Sequence, residues 1–178
     1  MTKRLDRKFF ARSAETVAPE LLGKFIVRKM PDGSRKEGMI TEVEAYVGTA
    51  DLASHAAGGR RTARNEVMYG PPGRAYVYFT YGMHWLLNVV TSKINDPQAV
   101  LIRGLDSVSG PARLAKQFGI DRKLNGEDFV KSKVLWLEDR SSSVHPVVRP
   151  SDIKVTPRIG VDYAGEWKDK PLRFLVKS

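Results

Sequence analysis

"EGMITEVEAYVG", residues 37–48, has the alternating apolar pattern of a β-strand yet carries Glu42 and Glu44 at its centre. Strand side chains point to opposite faces in turn. Strict alternation therefore places Ile40, Glu42, Glu44 and Tyr46 on one side and Met39, Thr41, Val43 and Val47 on the other. The apolar side is complete without the glutamates. Two carboxylates and a tyrosine in a row, each about 7 Å from the next, leave two readings open: a solvated sheet face or an active site.

Around this strand the chain reads as one domain. "KFIVRKMPDGSRKEGMITEVEAYV" is a hairpin turning at Pro31, Asp32 and Gly33. Ahead of it, Ser13 and Glu15 open a short helix that ends at Leu22 and Gly23, and Pro19 inside it implies a kink or a late start. "GTADLASHAAGGRRTARNEVMYGPPG" follows. It is too long to be a mere connection in a compact domain and is therefore a functional suspect. The runs "RAYVYFTY", "WLLNVVTS" and "QAVLIRGL" read as strands, the first two joined tightly through Gly82, Met83 and His84. "GPARLAKQFGI" reads as a helix with Pro111 in its first turn, "VLWLED" and "PLRFLVK" are late strands, and the basic stretch between those strands reads as loop. Strands with interspersed helices and no regular βαβ alternation predict an α+β fold. The expectation is a single compact domain over residues 1–178, a curved and mostly antiparallel sheet flanked by helices, and a protruding hairpin. Residues 1–12 are expected to be a flexible basic N-terminus.

Composition narrows the function. The 178 residues suffice to bury a core, and 42% hydrophobic with 9% aromatic residues argue against global disorder. Thirty Lys and Arg against twenty Asp and Glu give a net charge of +10, which predicts a polyanionic partner, most simply nucleic acid phosphates rather than an anionic membrane. No apolar run approaches membrane-spanning length, so a soluble, intracellular protein is expected. The absence of cysteine excludes disulfides, thiolate nucleophiles and cysteine-ligated metal sites.

Chemistry is sought where an apolar strand admits a polar residue without a packing reason. Glu42 and Glu44 are one case, Asn88 within "WLLNVV" a second, and Arg103 at the end of "AVLIR" a third. Each alone also reads as a wet-face residue or a satisfied structural amide. Together, a carboxylate, a cation that can orient it or a water, and an amide that can read a planar group compose a hydrolytic pocket. Tyr76 and Tyr78 share a face and alone read as packing. Tyr81 stands at the hairpin tip, where a bulky side chain on a basic protein can wedge between stacked bases. Arg60, Arg61 and Arg64, set among glycines, suit phosphate contact or a solvated charge run.

The stretches "EVEAYVGTADLASHA", "GGRRTARNEVMYGPPGRAYVYFTYGMHWLLNVV", "VLIR", "GPARLAKQFGI" and "RIGVDYAGEWKDKPLRF" resemble, in order, the alkyladenine (3-methyladenine) DNA glycosylase family from about Leu21 to Val176. The resemblance implies excision of alkylated or deaminated purines (3-methyladenine, 7-methylguanine, hypoxanthine) from double-stranded DNA. The excision would be carried out by a monomer without metal or organic cofactor, in the cytoplasm or nucleoid of a prokaryote or the nucleus of a eukaryote. It implies Glu44 as general base and Arg103 as the group that binds the water or the sugar-phosphate. Tyr46, His55 and Tyr78 would sandwich the extruded base, in a pocket whose width depends on Ala53, His55 and Asn88. Asn88 would reject guanine through its exocyclic amine, and Tyr81, flanked by Met83 and His84, would fill the gap in the duplex. Glu42 is expected to be structural or to support its neighbours in the site rather than to be catalytic. Only residues 104–109 separate the arginine strand from the "GP" helix, fewer than in many members. Two alternatives from other classes are a non-catalytic binder of distorted nucleic acid and a carboxylate-based nucleoside hydrolase.

Overall fold

The computed structural model describes residues 2–140 and 147–177. In chain order these residues form β1 (Lys3–Arg4), α1 (Arg7–Phe10), α2 (Ala14–Leu21), β2 (Phe25–Lys29), β3 (Arg35–Val47), β4 (Ala75–Thr80), β5 (His84–Thr91), β6 (Gln98–Leu105), β7 (Val108–Ser109), α3 (Pro111–Gln117), β8 (Leu135–Asp139), β9 (Ile153–Thr156) and β10 (Arg173–Val176). The sheet runs β1-β8-β2-β3-β6-β5-β4, with β10 added beside β3, β9 beside β10, and β7 beside β6. Every strand pair is antiparallel, so the fold is α+β on one mostly antiparallel sheet. No helix among the described residues is long and apolar enough to cross a membrane.

β3 organises the sheet because its thirteen residues outlast any one partner. Its first part pairs with β2, while from Ile40 onward it pairs with β6 and, on the other edge at Glu42 to Glu44, with β10. The register against β6 slips twice, so that Ile40 faces Leu105, Glu42 faces Gly104 and Val43 faces Ile102. Thr41 and then Arg103 fall out of the pairing. These bulges correct the strict alternation expected from the sequence: Ile40 lies in the main core with Val43 and Ala45, not on the face of the glutamates. An inserted residue shifts the phase of a period-two strand and re-aims the side chains beside it. The shift returns Ile40 to the core, while Glu42, Glu44 and Tyr46, beyond the bulge, keep the common face that alternation gives them.

α2 begins at Ser13, whose side chain accepts from the Thr16 N–H, and it continues through Pro19 rather than starting late. Ala14, Val17, Ala18 and Leu21, spaced i, i+3, i+4, i+7, give it one apolar stripe, and all four are buried in the main core. The basic stretch before β10, read as loop, contains β9, whose four residues pair along β10; residues 141–146 of that stretch lie outside the described residues. The N-terminus also differs from expectation. Instead of forming a free basic arm, β1 pairs with β8, Asp6 caps α1, and Phe10 is fully buried against Phe129. The apolar Leu5, Phe9 and Phe10 outweigh the surrounding charge, because burying their rings and methyls removes them from water.

Phe10→Ala should therefore cost about 3–5 kcal/mol in equilibrium unfolding, whereas truncating a ring on a free tail would leave the midpoint unchanged.

Candidate active site

Glu44 is fully buried at the middle of β3. Its Oε2 accepts from the Tyr46 hydroxyl at 2.9 Å, its Oε1 accepts from the Ile159 backbone N–H at 2.8 Å, and Arg103 Nε lies 3.4 Å from the same Oε1. Burial pushes its pKa up, and the Arg103 charge, the Ile159 N–H and the Tyr46 hydroxyl only partly offset this. The result is a carboxylate with more affinity for a proton than an ordinary glutamate. Tyr46 is held as a neutral donor, because burial and then the neighbouring Glu44 charge push its phenol well above its usual value.

Glu42 plays a different part. Its Oε1 accepts from Arg103 Nε at 2.9 Å and from Arg173 Nε at 2.7 Å. Arg173 on β10 and Glu42 on β3 thus brace the bulged Arg103 from behind. Arg103 meets both glutamates through Nε, and its Nη groups donate to no other side chain or carbonyl among the described residues.

Beside this cluster lies a cavity of about 300 Å³, at the small end for ligand pockets and suited to one flat heterocycle. Tyr46, Ala53, His55, Tyr78, Asn88, Arg103, Tyr81 and His84 all line it. Glu44 does not; Tyr46, Arg103 and Ile159, which all contact it, do. Met83 stands exposed at the hairpin tip outside the lining. The three loop arginines are also outside it. Arg61 pairs with Glu66 and packs over Tyr69, while Arg64 donates to the Phe79 carbonyl and lies over the Tyr78 ring.

Two small apolar clusters carry the walls. Tyr78 packs on one that contains Met68, Tyr69 and Tyr76, and Tyr46 packs on another made by Ala53, Val161 and Ala164. His55 bridges to the first: its Nδ1 is 2.7 Å from the Tyr76 hydroxyl, and its ring meets Tyr78 edge-on at 4.5 Å. Burial, reinforced by Arg64 and Arg60, lowers its pKa to about 4. Asn88 donates from Nδ2 to the Tyr76 carbonyl of the paired strand at 3.1 Å. The long loop is ordered rather than slack. Buried Asn65 donates to the His55 and Arg60 carbonyls, and buried Asp51 accepts from the Val47 and Ala53 N–H groups.

At the hairpin tip, the Thr80 carbonyl accepts from Met83 N at 3.2 Å, with Tyr81 at φ 54° and Gly82 at φ 66°. Two successive left-handed residues define a type I′ turn. Glycine takes that conformation readily, whereas tyrosine does so at a cost.

Sequence reasoning assigned no role to several residues of the site. Ile159 reaches Glu44 through a backbone group, which leaves no side-chain signature. Arg158 is buried in an ion pair with Asp51 and lies 4.7 Å from the Tyr46 ring centroid. The one available signal was a charged residue in each of "TADLA" and "RIGV", flanked by small or apolar residues. Among the described residues no group of three or more His, Cys, Asp or Glu side chains is placed to hold a metal ion.

The chain matches the family model for methylpurine-DNA glycosylase over residues 8–109 and 106–178. The two matches overlap only at residues 106–109, within the short link between Arg103 and α3. A protein of Desulfitobacterium hafniense (strain Y51), provisionally named a 3-methyladenine DNA glycosylase, is 40% identical over 99% of this chain and 96% of its own. One of Clostridium botulinum (strain Loch Maree / Type A3), named in the same provisional way, is 38% identical over 98% of this chain and 96% of its own. The chain belongs to the methylpurine-DNA glycosylase family.

The His55 environment has a measurable consequence. Its imidazole takes up a proton near pH 6.5 when unfolded but only near pH 4 when folded, so the unfolded state holds more protons between those values and stability rises with pH across the window. His55→Gln should flatten that rise by on the order of 2–3 kcal/mol, read as the difference between native and variant unfolding curves at pH 4.5 and 7.

Proposed function

We propose that this protein is a monofunctional DNA glycosylase that extrudes alkylated or deaminated purines from duplex DNA and hydrolyses the N-glycosidic bond. The observation that carries the reading is the pairing of a buried, proton-hungry Glu44 with an adjoining aromatic cavity of base size. Enzymes that do chemistry on a base must take it out of the stack, and the cavity offers a site for it, with Tyr46 and Tyr78 as walls and His55 edge-on to Tyr78. The net charge of +10 supports a DNA partner, and we assign Arg60, Arg61 and Arg64 to its phosphates. The protein acts as an intracellular monomer on this reading.

In the reaction the purine departs with the electron pair of the bond to C1′, positive charge develops on the sugar, and water adds to C1′. Glu44 takes the proton of that water and its negative charge stabilises the oxocarbenium-like sugar. Because Tyr46, Arg103 and Ile159 stand between Glu44 and the cavity, the water is received among these groups, and the Nη groups of Arg103 are available to hold it or the sugar-phosphate. A cationic purine leaves without help, while hypoxanthine needs protonation. His55, unprotonated at neutral pH, meets the base as a neutral imidazole and is not a charged acid. Asn88, fixed by its bond to the Tyr76 carbonyl, crowds the position where guanine carries its exocyclic amine.

The deciding experiment incubates the purified protein with duplexes containing 3-methyladenine, 7-methylguanine or hypoxanthine and scores abasic sites. Glu44→Gln should lower the rate by roughly 10²- to 10⁴-fold while retaining affinity for the lesion. It should be at least as stable at neutral pH, since a raised carboxylate pKa contributes stability only in acid and loses it as pH rises through the folded value. Absence of product across all three lesions would sink the reading and leave the binder. Free nucleosides cleaved faster than duplex DNA would favour the nucleoside hydrolase.

Tyr81→Ala should slow excision from duplex more than from single strands, because a gap needs filling only where bases are stacked and paired. Equal losses on both substrates would remove the wedge role from Tyr81.

A further inference from the structure

Tyr163 lines the same cavity as Tyr81 but comes from a separate part of the chain, the segment before β10, and it stands 71% exposed. It is held firmly despite that exposure. Val161 and Ala164 on either side are buried with Ala53, the Ala164 N–H donates to the Val161 carbonyl at 2.9 Å, and the Tyr163 hydroxyl donates to the Ala53 carbonyl at 3.3 Å. Ile159 and Leu52, each 49% exposed, belong to the two segments joined by that hydroxyl bond, and Leu52 reaches to Gly165. Scattered surface apolar residues need no explanation. Here three of them, one a tyrosine whose ring is largely open to solvent, lie on the two segments that the hydroxyl bond joins.

We propose that Tyr163, with Leu52 and Ile159, is a platform for the lesion strand itself, gripping the nucleotide next to the extruded one. The inference rests on the reading of the cavity as a base pocket. An extruded nucleotide stays bonded to its neighbours, so a rigid ring at the cavity entrance is within reach of the same strand. The gap left in the stack falls to the Tyr81 hairpin. A nucleobase or sugar face covers Tyr163 without hydrogen-bond readout, so the contact is indifferent to sequence and needs no complementary strand.

That independence is the test. With Glu44→Gln as the non-turnover parent, fluorescence anisotropy measures binding to a labelled oligonucleotide carrying one hypoxanthine, as a single strand and as a duplex. Adding Tyr163→Ala should weaken binding about 5- to 100-fold on both forms alike, with the unfolding temperature of the parent retained. Adding Tyr163→Phe should keep the parent's affinity. Unchanged single-strand binding, or a loss confined to duplex, overturns the platform. So does a loss in Tyr163→Phe equal to that in Tyr163→Ala, which would assign the effect to the hydroxyl bond on Ala53. Native protein assayed on the hypoxanthine duplex reports separately on the chemistry. If it releases no base there, nor from 3-methyladenine or 7-methylguanine duplexes, while Tyr163→Ala still weakens both complexes, the glycosylase reading fails and the platform stands.

Discussion

The buried ion pair between Asp51 and Arg158 fixes the geometry on which the site depends. Both side chains are inaccessible to solvent. Asp51 also accepts from the Val47 and Ala53 N–H groups, and Arg158 donates to the carbonyls of Ala45 and Trp167. One pair therefore ties together the end of β3, the start of the long loop and the segment before β10. Buried pairs are weak contributors to stability, since desolvation consumes most of the attraction, and here Arg158 Nε is buried with no partner among the described residues. The return is positional. With Arg158 fixed, the next residue delivers its N–H to Glu44; with Asp51 fixed, Ala53 sits at the cavity wall.

The electrostatics of the cavity follow from that closure. Burial raises Glu44, raises the tyrosines and lowers His55, so Tyr46, Tyr76, Tyr78 and His55 are neutral at neutral pH beside the Glu44–Arg103 pair. An aromatic box with one carboxylate-guanidinium edge is selective in kind: planar rings are held by contact area, and charge is concentrated at that one edge. Arg103 reaches that edge by the alternation of β6, on the cavity side with Ala99 and Leu101 while Val100 and Ile102 face the main core. The slipped register leaves it unpaired with β3 and next to Glu42 and Glu44.

The legible parts of the sequence were those governed by local periodicity. β2 to β6, α2 with its Ser13 cap, and α3 behind Pro111 follow from alternation, i/i+3/i+4 spacing and capping chemistry. The bulge at Thr41 was not legible, because no residue type there marks a break in alternation; the phase change is set by pairing with β6, sixty residues away in the chain. The N-terminus misled for the opposite reason, since its charge was conspicuous while the two phenylalanines that bury it are few. Asn88 and Arg103 were grouped with the glutamates because each is a polar residue set in an apolar strand, whereas Tyr46, His55 and Tyr78 joined them only through ordered resemblance across the chain. The backbone of Ile159 and the Asp51–Arg158 pair lay beyond both, one because a main-chain N–H has no letter, the other because its halves are joined only by the fold.

The hairpin tip is where local preference and position disagree most openly. A type I′ turn is most comfortable with Asn or Gly at both central places, and Gly82 satisfies one of them. Tyr81 satisfies neither the turn nor the core: it holds φ 54° at a cost of order 1–3 kcal/mol while leaving its ring 81% exposed. The stem below absorbs that cost through pairing of Thr80 with His84, the Phe79–Trp85 ring contact at 4.8 Å and the Asn88 bond to the Tyr76 carbonyl. Strain held at a solvent-facing aromatic by a well-paired stem contributes nothing to folding. The packing of the protein itself does not account for a tyrosine at this position.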